Sequence, residues 1–401
     1  MSWARRTSFL AYMAIAGLIS LAIWILLPIP NFLAQRGWSS QRTGWAVGAY
    51  FVANLFAQMA AGYIADRFGN VRTAIWGASL GCLAGLTYLG AFWLVGLMFP
   101  ARVLHAVAAS LISGGVLIEL VGSVPMEVRG RMIGYYGLPG FVMLGGGPVL
   151  SEWFVYKWGF LACLGAVLVI FVMIRLILMT LPPSMAAGHK TVREPLTKAF
   201  RDSFPALRPV LCYSVMVGLC FTSWQAFLAP AVKPLGGGAI SKFGFGYAAG
   251  AVATRLGLSH RLDTGAKRLA GIATMVAFSA SLAAIPQVSQ AWYLVALGLI
   301  CGMSHGIYYP SLSSLAAERF HPVHGGPAMS LYFSASSLGM FVGPPIWGAL
   351  ADRAGYRMVF AAAAAVLASA TASFVYYEWR QHRRAAAAAA ETLELPRSHH
   401  L

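Results

Sequence analysis

A few polar side chains sit inside stretches that are otherwise apolar, and those are the places where chemistry could occur. Arg102 and His105 lie three residues apart in the run 93–118, so a helix puts them on one face. A guanidinium stays charged and can grip a carboxylate through two parallel hydrogen bonds. An imidazole changes charge near neutral pH and can carry a proton. His305, with Tyr308 and Tyr309, makes a similar group in the run 291–316. Trp224 and Gln225 add an indole and an amide in the run 209–231, and Trp24 adds a ring in the first run. Each has a plainer reading. The histidines can be neutral and hydrogen-bonded between helices, and the arginine can reach the membrane surface along its stem. The rings can simply pack. Depth weighs the other way, because an ionisable group at membrane depth is costly and marks function by default. Arg102 has no acidic residue nearby in its own run, so no local ion pair accounts for it. Glu119, about four turns further along nearly the same face, is a second proton candidate, with pairing to Arg129 or Arg131 as its plainer reading.

Other chemistries find no support. No Gly-rich phosphate loop or His-Glu-x-x-His pattern occurs, which argues against an ATP-driven pump or a membrane protease. Cys82, Cys163, Cys212, Cys220 and Cys301 all fall in apolar runs, without zinc or redox spacing. They are expected to be free thiols. His399 and His400 adjoin near the C-terminus, with nothing else at ligand spacing. Neither a metal nor a cofactor is expected.

The elements that must hold these residues are membrane helices. Hydrophobic residues make up 59% of the 401, charged residues only 10%, and the mean hydropathy is +0.69. A soluble domain carries about 25% charged residues. Twelve segments are long enough to span: 8–30, 44–65, 73–91, 93–118, 132–151, 158–181, 209–231, 239–257, 269–288, 291–316, 326–350 and 357–377. The segment 239–257 is the weakest, being Gly-rich with Lys242 near its start. The first run lacks the short apolar core and cleavage site of a removable signal, so it is expected to act as its own insertion signal. The fold class is thus an all-α membrane protein with twelve transmembrane helices.

Charge sets the orientation. With the N-terminus in the cytoplasm, about twenty Lys and Arg fall on the cytoplasmic side and seven on the other. Most of the net charge of +17 resides in this bias, so it implies topology and attraction to anionic lipid rather than a nucleic acid partner. Both termini and the polar break near Pro182–Leu207 are expected to be cytoplasmic.

That break divides the chain in two, and the halves repeat. Asp66 and Asp263 are 197 apart, Gly147-Pro148 and Gly343-Pro344 are 196 apart, and His105 and His305 are 200 apart. Near-equal offsets at three separate places suggest a parallel duplication. The expected domains are a six-helix bundle at 1–181, a cytoplasmic linker at 182–207, a second six-helix bundle at 208–379 and a cytoplasmic tail at 380–401. The tail begins with an Ala run and is expected to fray.

The densest polar cluster of the first quarter runs from Gly62 to Arg72. It reads Gly-x-x-x-Asp-Arg-x-Gly-x-x-Arg, with Gly62, Asp66, Arg67, Gly69 and Arg72 at the spaced positions. Gly69 permits a sharp reversal. Asp66 can pair with Arg67 or Arg72, or face the positive end of a neighbouring helix. This resembles the loop between helices two and three of the major facilitator superfamily (MFS). Arg102 stands where that family often has an Arg in the fourth helix. Gly140 to Pro148 looks like its Gly-Pro signature in the fifth, associated with exporters and antiporters, and Gly339 to Gly348 is a second copy. Two departures stand out. The second-half loop, Asp263-Thr264-Gly265-Ala266-Lys267-Arg268, lacks the Arg after Asp and is one residue short. The Gly that exporters often carry after Pro148 is missing.

The resemblance implies two pseudo-symmetric six-helix bundles with helices one, four, seven and ten around a central cavity. It places Arg102, His105, His305, Tyr309, Gln225, Trp24 and Trp224 at a substrate and proton site. It makes Gly62, Asp66, Arg67, Gly69 and Arg72 a cytoplasmic gate, and Gly147, Pro148, Gly343 and Pro344 points of close packing and bending. The implied function is secondary transport of a small organic solute by alternating access, without catalysis. Export driven by protons is the leading expectation, with His305 loading a proton outside and Arg102 making proton and substrate compete. Proton-coupled uptake of an organic anion on Arg102 is the second reading, and a non-transporting sensor or assembly factor the third. A monomer in a bacterial inner membrane is expected.

Overall fold

A computed structural model describes residues 3–124, 126–182, 196–257, 267–319 and 325–394. The expected loop around Asp263 lies outside these residues, as do 183–195 of the expected linker and 395–401 of the expected tail. The described residues are almost entirely helical. The first half holds α1 (Trp3–Trp24), the short α2 (Ile29–Gln35), α3 (Ser40–Phe68), α4 (Asn70–Ala91), α5 (Met98–Ser123), α6 (Met126–Trp158) and α7 (Phe160–Met179). The second holds α8 (Leu196–Ala231), α9 (Ala239–Gly257), α10 (Lys267–Ala284), α11 (Tyr293–Arg319) and α12 (Gly325–Glu394). Gly355, with φ 80° and ψ 168°, breaks α12 into two legs matching the expected spans 326–350 and 357–377.

All twelve expected spans therefore fall on helix. Eight stretches of described residues are long and apolar enough to cross a membrane, and one of them, Leu331–Gln381, contains both legs of α12. The segments 132–151, 239–257 and 291–316, on α6, α9 and α11, are not among the eight. They are rich in Gly or polar residues. At about 1.5 Å per residue, the 22 residues of α1 cover about 33 Å, enough for a bilayer core.

Glycine turns join neighbouring helices where the connection is shortest. A single residue, Gly69 at φ 92°, separates α3 from α4, and Gly159 at φ 77° separates α6 from α7. No other residue type enters that region cheaply. Gly159 and Gly355 are 196 apart, the same offset as the Gly-Pro pairs, so the duplication reaches the turns. Two elements run further than the sequence suggests. α8 begins at Leu196, inside the expected linker, and α12 continues to Glu394, through most of the tail expected to fray. The run Ala385–Ala390 has the highest intrinsic helix propensity, which favours extending the helix.

Each half packs on itself. In the first, α1 lies against α6 and α7, α4 lies between α5 and α7, and α3 covers α5. In the second, α8 packs on α12, α9 on α11, and α10 on both α11 and α12. One apolar core, including Ile15, Ala78, Tyr88 and Phe171, belongs to the first half alone. The other is centred on the second half and reaches across through Leu27, Val47, Tyr50, Phe51, Ala106 and Leu144. The halves meet mainly where α3 crosses α12 and α6 crosses α9.

Candidate functional site between the halves

Close helix crossing requires missing side chains, and the sequence supplies them. A Cβ on Gly44 would strike the backbone of Pro344 and Pro345, one on Gly48 would lie 2.7 Å from the Phe341 carbonyl, and one on Gly145 would lie 2.6 Å from the Ala248 Cβ. The expected bend residues serve this packing. Gly147 lets α6 approach Trp24 of α1, Pro148 rests against Gly244, and Gly343 sits against Leu219 and Thr222 of α8. Both α6 and α12 run through their Pro residues as helix.

Deeper along this seam the candidate residues gather. Trp24 and Trp224 stack across it, ring centroids 5.6 Å apart and nearly parallel. Arg102 is buried, donates to the Val47 carbonyl at 3.4 Å and lies over the Tyr50 ring at 4.9 Å. Arg102, Trp24 and Gln225 line one cleft between the halves, with about 20 Å³ open to water centres, room for one or two waters.

His305 also lies on the seam. Its ring meets Phe141 of α6 edge-on at 5.7 Å, and Phe221, Tyr247, Tyr308 and Tyr309 surround the rest. The Tyr247 hydroxyl hydrogen-bonds its Nδ1. Arg255 of α9 covers Phe141 at 5.4 Å. The sequence reading counts Arg255 only among the cytoplasmic cations. Its signal was there, because it falls within the expected span 239–257.

His105 lies inside the first half. It is fully buried between Tyr50, Tyr88 and Phe171, all from the first half, with the Tyr88 hydroxyl 3.3 Å from its Nδ1. Arg102 stays beside it: both side chains meet the Tyr50 ring, and the Val47 carbonyl that Arg102 reaches also belongs to the first half. Glu119 is likewise internal to the first half, accepting from Asn70 at 2.9 Å. The side chains of Arg129 and Arg131 lie outside the described residues.

The gate residues behave differently again. Asp66, Arg67 and Arg72 are exposed, Arg67 lies over Phe68 at 5.3 Å, and none of the described residues forms an ion pair with Asp66. Among the described residues, the hydrogen bonds and ring contacts between the halves lie from the Ser40 end of α3 down to the level of Phe141 and His305. Further on, Gly134 and Gly137 of α6 have open space around them, and Phe56, Met59 and Tyr63 of α3 are more than half exposed. The halves are thus closed at the Ser40 end.

Five buried side-chain polar atoms among the described residues have no hydrogen-bond partner within the protein: Arg102 Nε, His105 Nε2, Trp224 Nε1, Gln225 Oε1 and Arg255 Nε. An unpaired buried polar group is costly. Four of the five belong to residues that line or adjoin the seam.

This architecture and this seam define a two-bundle membrane transporter. Residues 8–262 and 236–398 match the Major Facilitator Superfamily, and the chain belongs to that family. It is 25% identical to the uncharacterized MFS-type transporter YhhS of Escherichia coli over 368 residues, covering 86% of this chain and 85% of that one. Among solved structures it resembles the nucleoside transporter NupG, with a TM-score of 0.75 at 14% identity over 94% of this chain and 99% of that one. The human organic anion transporter MFSD10 gives 0.68 at 14% identity over 92% and 99%.

Proposed function

We propose that the chain is a secondary active transporter of a small organic anion, working by alternating access. One observation carries this reading: the unpartnered donors on the seam. Arg102 Nε, Arg255 Nε and Trp224 Nε1 can only donate, so the group that suits them is an acceptor, best a carboxylate or phosphate. No protein carboxylate serves them among the described residues. Glu119 accepts from Asn70, Glu378 pairs with Arg319, Asp66 is exposed, and Glu152 and Asp352 lie near the Ser40 end. Gln225 and the stacked Trp24 and Trp224 add an amide and an aromatic wall.

The same geometry bears on coupling. Arg255 and His305 rest against the same Phe141 ring. Two positive charges held that close repel, and an anion seated on Arg255 offsets both. Anion and proton then enter together, whereas a cationic cargo would compete with the proton. Cotransport is therefore the reading we favour over proton-driven export. The Gly-Pro signature behind export is accounted for by the helix crossings it allows.

The positive-inside bias places the Gly69 end in the cytoplasm, so a molecule closed at the Ser40 end faces inward. Asp66, Arg67 and Arg72 would then form their cross-half contacts only when that end shuts. The bundles at 1–181 and 208–379, a monomeric state and a bacterial inner membrane belong to this proposal. The test is uptake into proteoliposomes with an acidic exterior. Benzoate, citrate and glucose 6-phosphate represent anions, glucose and uridine neutral solutes, and tetraphenylphosphonium a cation. Accumulation of an anion that follows the pH gradient is expected. Movement confined to neutral or cationic probes would overturn the reading.

A further inference from the structure

Two carboxylates tie the halves together in the same way at two places. Asp352, beside the turn between the legs of α12, accepts from the backbone N–H of Ser40 at 2.8 Å on Oδ1 and of Gln41 at 2.9 Å on Oδ2. Glu152, near the end of α6, accepts from the backbone N–H of Ile240 at 3.3 Å on Oε1 and of Ser241 at 2.9 Å on Oε2. The Ser241 hydroxyl also donates to Glu152. In each case a carboxylate of one half holds the first turn of a helix in the other half: α12 holds α3, and α6 holds α9.

The numbers make these one device built twice. Glu152 and Asp352 are 200 apart, as are Gln41 and Ser241, and Ser40 and Ile240. That is the offset of the two histidines. The local chemistry explains why the amides are available. The first N–H groups of a helix lack partners inside it and carry the positive end of its dipole. Ser39 caps only Arg42 in α3, and the residue before α9 is Gly238, which has no side chain to offer. Each helix thus leaves two first-turn amides for a carboxylate across the seam. Glycine crossings about one turn from the carboxylates, Gly348 on Ser40 and Gly244 on Pro148, bring the backbones close enough for that reach.

We propose that Glu152 and Asp352 are paired latches of the Ser40-end gate, positioning residues that hold this end shut and release both helices when the halves part. They touch no substrate site, so the proposal needs nothing about the cargo. It requires only that the two halves move against each other. The two latches are equivalent by descent and should weigh similarly. Ser40 bonding to the Tyr356 hydroxyl at 3.2 Å supports the first, and the Ser241 hydroxyl supports the second.

The test is a distance measurement on the full chain in lipid nanodiscs. Probes enter through non-canonical residues at Leu94 and Gln290, exposed turn positions in opposite halves at this end, leaving the five native thiols untouched. Asp352→Asn and Glu152→Gln keep shape and remove charge. Each is expected to raise the ratio of open to closed distances about 10-fold, and the double variant further. Ser241→Ala, which removes only the hydroxyl, should shift the ratio less than Glu152→Gln. Wild-type distances in the double variant, when it is folded and monodisperse, would overturn the proposal. So would an effect of Ser241→Ala as large as that of Glu152→Gln, which would assign the hold to the hydroxyl and not to the carboxylate on the helix amides.

Discussion

The two histidine clusters occupy matching places in the duplicated chain and have different surroundings. His105 and His305 each have a tyrosine on Nδ1 and rings packed edge-on. The tyrosine differs: Tyr88 comes from α4, Tyr247 from α9. The neighbours beyond differ more. His105 is closed in by Tyr50, Tyr88 and Phe171 of its own half, whereas His305 meets Phe141 of the other half, with Arg255 on the same ring. Duplication preserved the position of the imidazole. The rings around it differ: α3, α4 and α7 supply those around His105, whereas α6 of the opposite half supplies one to His305.

If the second cluster is the working one, removing its cation should have the largest effect. Arg255→Gln is expected to lower kcat/KM for the transported anion about 10- to 100-fold, the scale of one lost charge-assisted contact. Arg255→Lys should recover part of it, since charge returns without the planar fork. Unchanged transport by Arg255→Gln, in protein that binds no less stably to lipid nanodiscs, would dissolve the contrast between the clusters and leave Arg102 as the sole anchor.

A smaller effect should separate the histidines themselves. His305→Gln keeps an amide near Tyr247 but cannot take up a proton, so anion uptake should become independent of the pH gradient while downhill exchange of the anion continues. Retained pH dependence in His305→Gln would move the coupling elsewhere, with Glu119 as the next group to test.

How much of this could be read in the sequence follows from the range of the forces involved. The twelve helical segments, the duplication and the turn at Gly69 depend on local composition and backbone freedom, and all were legible. The seam residues Arg102, His305, Gln225, Trp24 and Trp224 were legible as polar or aromatic groups within apolar runs. Arg255 was not, because a Gly-rich span hides its own boundary and the side chain reads as a loop cation. For His105 the helix face was legible and its surroundings were not: residues three apart differ by only about 60° around the helix, and the rings that enclose the imidazole come from α3, α4 and α7. The latches at Glu152 and Asp352 were invisible. Each bonds backbone amides some 90 or 310 positions away, and an amide has no sequence signature.

The smallest expected effect sharpens the comparison most, because it asks what His105 contributes. His105→Phe keeps a ring of similar size against Tyr50, Tyr88 and Phe171, so the edge-on contacts survive. It removes the unpartnered Nε2 from a fully buried site, which is favourable, and takes from Tyr88 its bond to Nδ1, which is not. Arg102 beside Tyr88 can donate to the hydroxyl oxygen but cannot accept its proton, so the Tyr88 O–H loses its acceptor. The two terms are each about 1 kcal/mol and opposed, and stability should change by less than about 1 kcal/mol. Transport rate should stay within about twofold of the parent protein, with its pH dependence intact. Thermal unfolding in detergent and the pH profile of anion uptake measure both. A variant that folds normally but has lost its pH dependence would return His105 to the proton path and make the two clusters functional equals.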